Sequence, residues 1–159
     1  MKLYLLRHAN ASQSSTGDFQ RELSEKGIAQ CEALAEFVLP KLKDGLVDLC
    51  CSAAHRTKQT HLHVFKTMKA KFDEKLYLAS ASALLHFICE LETDRTVVIL
   101  GHNNGLSDLA SYLTDRTVDM QTASCIEIEF SCANSSFISK GTGSINLSHR
   151  CQVSQFPYF

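Results

Sequence analysis

Four short apolar runs, Leu3 to Leu6, Leu46 to Cys51, Leu76 to Leu78 and Thr96 to Leu100, alternate along the chain with segments whose apolar residues recur at a helical period. That alternation predicts an α/β fold with a mostly parallel sheet, and it excludes separate blocks of helix and strand. Between the first two runs, Ile28, Cys31, Leu34, Ala35, Val38, Leu39 and Leu42 keep a 3.6-residue period, with Ser24 as N-cap and Pro40 marking a frayed end. Ser52 is placed to cap a second helix that begins near Ala54 and buries Leu62, Phe65 and Met68. A third helix, Leu84 to Leu91, opens at Ser80 or Ser82, and a fourth runs from about Leu106 to Leu113. The last third changes period. Ile126 to Phe130 and Ile145 to Ser148 alternate every second residue, with Gly141 and Gly143 between them, and predict half-exposed antiparallel edge strands. No repeat, low-complexity tract or linker divides the 159 residues, 45% of them hydrophobic, so one domain spanning residues 1–159 is expected.

The ends of these strands are out of character with their interiors. Leu3 to Leu6 stops at Arg7-His8, two side chains that are costly to bury; the second run leads through "CSAAHRTKQT" to Arg56; the fourth ends in "GHNNG" with His102. In an open α/β sheet ligands gather beyond the carboxyl ends of parallel strands, so two Arg and two His are predicted to converge there with no carboxylate among them. Guanidinium forks match the oxygens of a phosphoryl group, and a helix N-terminus adds backbone donors. The set does not suit zinc. Arg repels the cation, and neither His8 nor His102 has a second ligand at HxxxH or CxxC spacing. His61 and His63, two residues apart, fall on different sides of a helix. Taken singly, each of these residues is as well explained by a satisfied structural histidine or a solvated arginine; their joint position at three strand ends is what points to an anion site.

Composition narrows the partners. A formal net charge of −1 gives no general field for nucleic acid or anionic membrane, so an anion must be caught by a local cluster. No apolar stretch approaches the ~20 residues of a membrane span, and Arg7 interrupts the first run too early for a signal peptide. The seven cysteines, at positions 31, 50, 51, 89, 125, 132 and 151, are odd in number and show no paired CxxC spacing; they read as reduced core thiols in a cytoplasmic protein.

"LRHANA", Arg56 in "SAAHRTKQT" and His102 in "GHNNGL" resemble the histidine phosphatase superfamily, the phosphoglycerate mutase-like proteins, whose signature is RHG or RHA at the end of the first strand. The short length, the "RHANA" form and "DFQRELSEKG" at residues 18–27 look most like small phosphohistidine phosphatases of the SixA type. The resemblance implies a three-layer fold with a mostly parallel central sheet flanked by helices. It makes His8 the residue that is phosphorylated, has Arg7, Arg56 and His102 hold the phosphate, and sets Arg21 at the rim as a substrate contact. No cofactor or metal is implied. Ala9 stands where Gly is commoner in the superfamily, and Asn104 where a Pro often follows the "HN" pair.

An alkoxide leaving group needs a general acid, and this chain offers little. The stretch Ala79 to Ala83 has no carboxylate; Asp18 is the possible general acid, while Asp108 reads as a first-turn partner of a helix dipole. Weak provision of acid favours P–N substrates such as phosphohistidine on a signalling protein. The alternatives are a phosphomonoesterase for small phosphate esters and a non-catalytic module that binds phospho-ligands.

Overall fold

The computed structural model describes residues 1–43 and 45–150; Cys151 lies outside them. Its centre is a six-stranded sheet of β1 (Lys2–Arg7), β2 (Val47–Ser52), β3 (Lys71–Asp73), β4 (Thr96–Gly101), β5 (Cys125–Phe130) and β6 (Gly143–His149), in the order β3-β2-β4-β1-β5-β6. β3, β2, β4 and β1 run parallel, with Leu3 to Arg7 of β1 in register with Val97 to Gly101 of β4. β5 pairs antiparallel with β1 and β6 antiparallel with β5.

Alternate residues of the central strands feed two cores. Leu3, Leu5, Val97 and Ile99 pack with Leu84 and Ile88 of α3 (Ala81–Glu90) and Leu106, Leu109 and Leu113 of α4 (Gly105–Thr114). Tyr4, Leu6, Val98 and Leu100 pack on the other face with Cys31, Leu34 and Val38 of α1 (Glu25–Leu42) and Val64 and Phe65 of α2 (His55–Phe65). The result is the three-layer α/β arrangement expected, and burial of each large aliphatic side chain stabilises it by about 1.5–3 kcal/mol.

Ser24 caps α1 as predicted, its Oγ accepting from Gly27 N at 3.1 Å. The helix does not fray at Pro40: it runs two residues further, to Leu42, whose side chain is buried and anchors the last turn. Ser80, not Ser82, caps α3.

Other expectations need correction. Leu76 to Leu78 is not a strand. Residues Glu74–Leu76 form a 3-10 turn capped by Asp73, Leu78 has a positive φ of 48°, and the edge strand lies just upstream at Lys71–Asp73, too short and polar to announce itself. The buried face of α2 is also rotated from the predicted stripe: Leu62 is 63% exposed and Met68 lies past the helix end, while Arg56, Thr57 and Thr60 are buried. Thr57 Oγ1 donates to Ser52 O and Ala54 O, and Thr60 Oγ1 to Arg56 O, so this polar face can be buried without unpaired groups. Finally, the N-cap position of α2 is Ala54, with no side-chain cap bond. Ser52, two residues earlier at the end of β2, serves the site described below. In the antiparallel pair β6 forms the sheet margin and β5 lies inside it, more buried than its alternation implied. There the carboxylate of Glu127 is nearly inaccessible but accepts from the Tyr4 hydroxyl and pairs with Lys2.

Candidate active site

The carboxyl ends of β2, β4 and β1 are neighbours in the sheet, and the residues that follow them meet in one cavity of about 280 Å³. Arg7, His8, Asp18, Arg21, Arg56 and His102 all line it, together with Asn10, Leu78 and Thr122. All six residues singled out by the sequence reading as site candidates are therefore brought together. Asp108 is not among them: it faces a separate cavity of about 460 Å³ with Ser80, Ser82 and Tyr112, where no Arg or His is found among the described residues.

Arg56 organises the interior. Although only 2% exposed, it donates from Nε to His8 Nε2 at 3.2 Å and from Nη2 to His102 Nδ1 at 3.1 Å. A guanidinium only donates, so each imidazole nitrogen it meets is a lone pair. His8 is thus protonated on Nδ1, which donates to Ala9 O at 2.7 Å, and His102 on Nε2, which donates to Ser52 Oγ at 2.7 Å. Burial, opposed in part by the Ala9 bond and reinforced by the charges of Arg56, Arg7 and Arg21, pushes His8 down to about 4. Burial and the neighbouring His8 and Arg56 push His102 down to about 3. Both rings are neutral near pH 7, and His8 keeps a lone pair on Nε2.

Arg7 is held from a segment distant in sequence. Its Nη1 donates to Met120 O at 2.8 Å, and the same carbonyl accepts from Asn103 Nδ2 at 3.0 Å. Arg7 Nε is buried and has no hydrogen-bond partner among the described residues. A buried N–H left unpaired costs about 1–3 kcal/mol, and an oxyanion in the cavity is the acceptor its chemistry fits.

Asp18 and Arg21 sit at the mouth. Arg21 donates to Ser12 O, Ala11 O and Asp18 Oδ1, so its guanidinium braces the loop that follows β1. The other Asp18 oxygen, Oδ2, accepts from the Tyr77 hydroxyl at 2.6 Å and from Arg56 Nη2 at 3.0 Å. The Tyr77 bond above all, with Arg21 and Arg56, holds Asp18 down to about 2. As arranged, Asp18 is an ionised carboxylate near neutral pH, the reverse of what a general acid requires.

Sequence reasoning missed four contributors: Tyr77, Ser52 as partner of His102, the Met120 carbonyl, and Thr60, whose Oγ1 accepts from Ala9 N at 3.1 Å. Ser52, at the end of β2, could have been found from its position; the others carry no local signal. Among the described residues no group of three or more His, Cys, Asp and Glu side chains is placed to hold a metal ion, and His61 instead packs on Phe65 and Phe72.

Residues 3–79 match the model of the histidine phosphatase superfamily (branch 1). No curated protein sequence matches the chain. Solved structures do. The protein histidine phosphatase SixA complexed with tungstate shares 18% identity and a TM-score of 0.76, over 93% of this chain and 96% of that one. A SixA structure from Nakamurella multipartitia has 20% identity and a TM-score of 0.80, over 94% and 95%. A phosphoserine phosphatase mutant from Entamoeba histolytica, in complex with phosphoserine, has 13% identity and a TM-score of 0.67, over 92% and 95%. The sequence match over residues 3–79 bears out the resemblance to the histidine phosphatase superfamily, and the likeness to the SixA structures, over nearly the whole chain, is one of fold.

Proposed function

We propose that this chain is a metal-independent phosphatase that works through a phosphohistidine at His8 and acts on phosphohistidine carried by a protein. The observation that carries the reading is the neutral His8, its Nε2 lone pair turned to Arg56 in a cavity shared with Arg7 and His102. The His8 lone pair forms an N–P bond as the bond from phosphorus to the leaving group breaks, and the leaving group takes its proton from solvent. Water then attacks phospho-His8, phosphate departs, and the ring regains its lone pair. Arg7 Nε and the Arg56 guanidinium stabilise charge on the equatorial oxygens, which is the main demand of phosphoryl transfer, and His102, whose Nδ1 accepts from Arg56, holds that guanidinium against the phosphate; for His102 to bind an oxygen itself, its Nε2–H must turn from Ser52. Arg21 adds a rim contact to substrate.

The choice of a P–N substrate follows from the missing acid. Asp18 is ionised, and among the described residues no other carboxylate lines the cavity. A phosphoramidate nitrogen is readily protonated by solvent, whereas an alkoxide is not. SixA as a fold neighbour supports the same substrate class, and the cysteine spacing, with no paired CxxC, fits the reducing cytoplasm in which we place the protein. Nucleic acid and membrane have no part in this reading.

The test is a side-by-side rate comparison of a phosphohistidine peptide with a panel of small phosphate esters. Faster turnover of the phosphopeptide, with an acid-labile, base-stable label on the protein, is expected. Aryl esters should exceed alkyl esters by about 10²-fold, the usual worth of a general acid. Faster turnover of small alkyl esters would make the protein a phosphomonoesterase instead; binding without turnover would make it a phospho-ligand module. EDTA should leave activity intact and tungstate should inhibit it. Loss of activity in EDTA restored by zinc or magnesium would overturn the metal-independent mechanism.

A further inference from the structure

The guanidinium of Arg56 presents two forks. Nε and Nη2 reach the two imidazoles, at 3.2 and 3.1 Å. Nη1 and Nη2 reach Asp18, at 2.6 Å to its backbone carbonyl and 3.0 Å to Oδ2. Resting on the phosphatase reading above, we propose that Asp18 is a positioning residue, one that grips the outer fork of Arg56 and thereby aims the inner fork at the place between His8 and His102 where the transferred phosphoryl group binds.

The rest of the Asp18 environment is built for that task. Its carboxylate is clamped on three sides, by Arg21 through Oδ1 and by Tyr77 and Arg56 through Oδ2. Tyr77 is itself fixed: its ring meets Phe19 edge-on at 4.9 Å and His102 edge-on at 5.4 Å. Arg21 is tied to the carbonyls of Ala11 and Ser12 in the loop after β1. The N-cap of the 3-10 turn Asp18–Gln20 is Gly17, so the Asp18 carboxylate is not the cap of its own turn. A long arginine side chain has many rotamers, and a doubly held outer fork removes that freedom before substrate arrives.

Three roles for Asp18 give different outcomes on replacement. A general acid would be missed only by poor leaving groups. A mere neighbouring negative charge, once removed, would leave the pocket more cationic and tighten anion binding. A positioning residue, once removed, loosens Arg56, so anion binding weakens and every substrate suffers alike.

The experiment measures tungstate affinity by calorimetry, and kcat and KM for an aryl ester, an alkyl ester and a phosphoramidate, in the unmodified protein, Asp18→Ala, Tyr77→Phe and the double variant. For Asp18→Ala we expect tungstate affinity to fall about tenfold, the worth of a lost charge-assisted contact at a half-exposed site, and kcat/KM to fall by a similar factor for all three substrates. Tyr77→Phe should lose less in the same direction, and almost nothing when Asp18 is already replaced, because it acts through that carboxylate. Tighter or unchanged tungstate binding in Asp18→Ala, or a loss confined to the alkyl ester, would overturn the proposal while leaving the phosphatase reading intact. Absence of tungstate binding and of turnover in the unmodified protein would overturn both.

Discussion

In the proposed mechanism His8 concentrates the chemistry in one atom. Its ring is buried and hydrogen-bonded so that Nδ1 carries the proton and Nε2 does not. His8→Ala should therefore lower turnover by several orders of magnitude while circular dichroism stays native; near-native activity in a folded variant would remove His8 from the mechanism. The His8 value of about 4 adds a second expectation. Once the ionisation of the substrate is allowed for, kcat/KM should stay level from pH 8 down to about 5, with no break near the ordinary histidine value; a break near 6.5 that belongs to the protein would mean that His8 is solvated. At this scale the sequence was informative wherever a charged residue interrupted an apolar strand, because burying Arg7, His8 or His102 requires a reason. It was silent on Tyr77 and on the Met120 carbonyl, since a tyrosine beside an apolar run reads as core and a backbone carbonyl has no residue code at all.

Elements were legible where burial sets a period and illegible where polar groups do. α4 follows its apolar spacing and so does α1 apart from Ile28, which is exposed; α2 does not, because its inner face carries Arg56, Thr57 and Thr60 toward the site. The misplaced third strand has the same origin: the residues that looked apolar, Leu76 to Leu78, form the turn that delivers Tyr77 to the cavity, while the true edge strand needs only three mostly polar residues. One junction shows how closely the elements must meet. A Cβ on Gly105, the first residue of α4, would collide with the backbone oxygen of Ala79, so only glycine lets α4 start directly behind His102 against the loop that opens α3. Gly105→Ala is expected to lose about 1–3 kcal/mol in urea unfolding, the usual cost of overpacking, and to lower kcat/KM as the start of α4 shifts. Unchanged stability and activity would show that the Ala79 loop yields freely.

The whole molecule bears the cost of keeping this cavity unprotonated. Two histidines are held near 4 and 3 in the folded chain against an ordinary value of 6.5, and the Asp18 carboxyl near 2 against 3.8. The sign follows from proton uptake. As pH falls below 6.5 the unfolded chain protonates both histidines, whereas the folded chain takes up neither proton until about 4 and 3. The unfolded state binds more protons throughout that window, so stability rises with pH and is lost on acidification. Asp18 adds the same sign lower down, between 3.8 and 2, weakened by its exposure to solvent. With one proton worth about 1.4 kcal/mol per pH unit, two fully buried histidines set an upper slope of roughly 2.7 kcal/mol per unit between pH 6 and 4. Urea midpoints measured at pH 7, 6 and 5 should decline accordingly, and His8→Ala should flatten the decline by about half, because one of the two protons is then no longer excluded. A midpoint that does not move between pH 7 and 5 in the unmodified protein would mean that His8 and His102 take up protons in the folded state as easily as in the unfolded one, and the neutral nucleophile on which the mechanism depends would lose its basis.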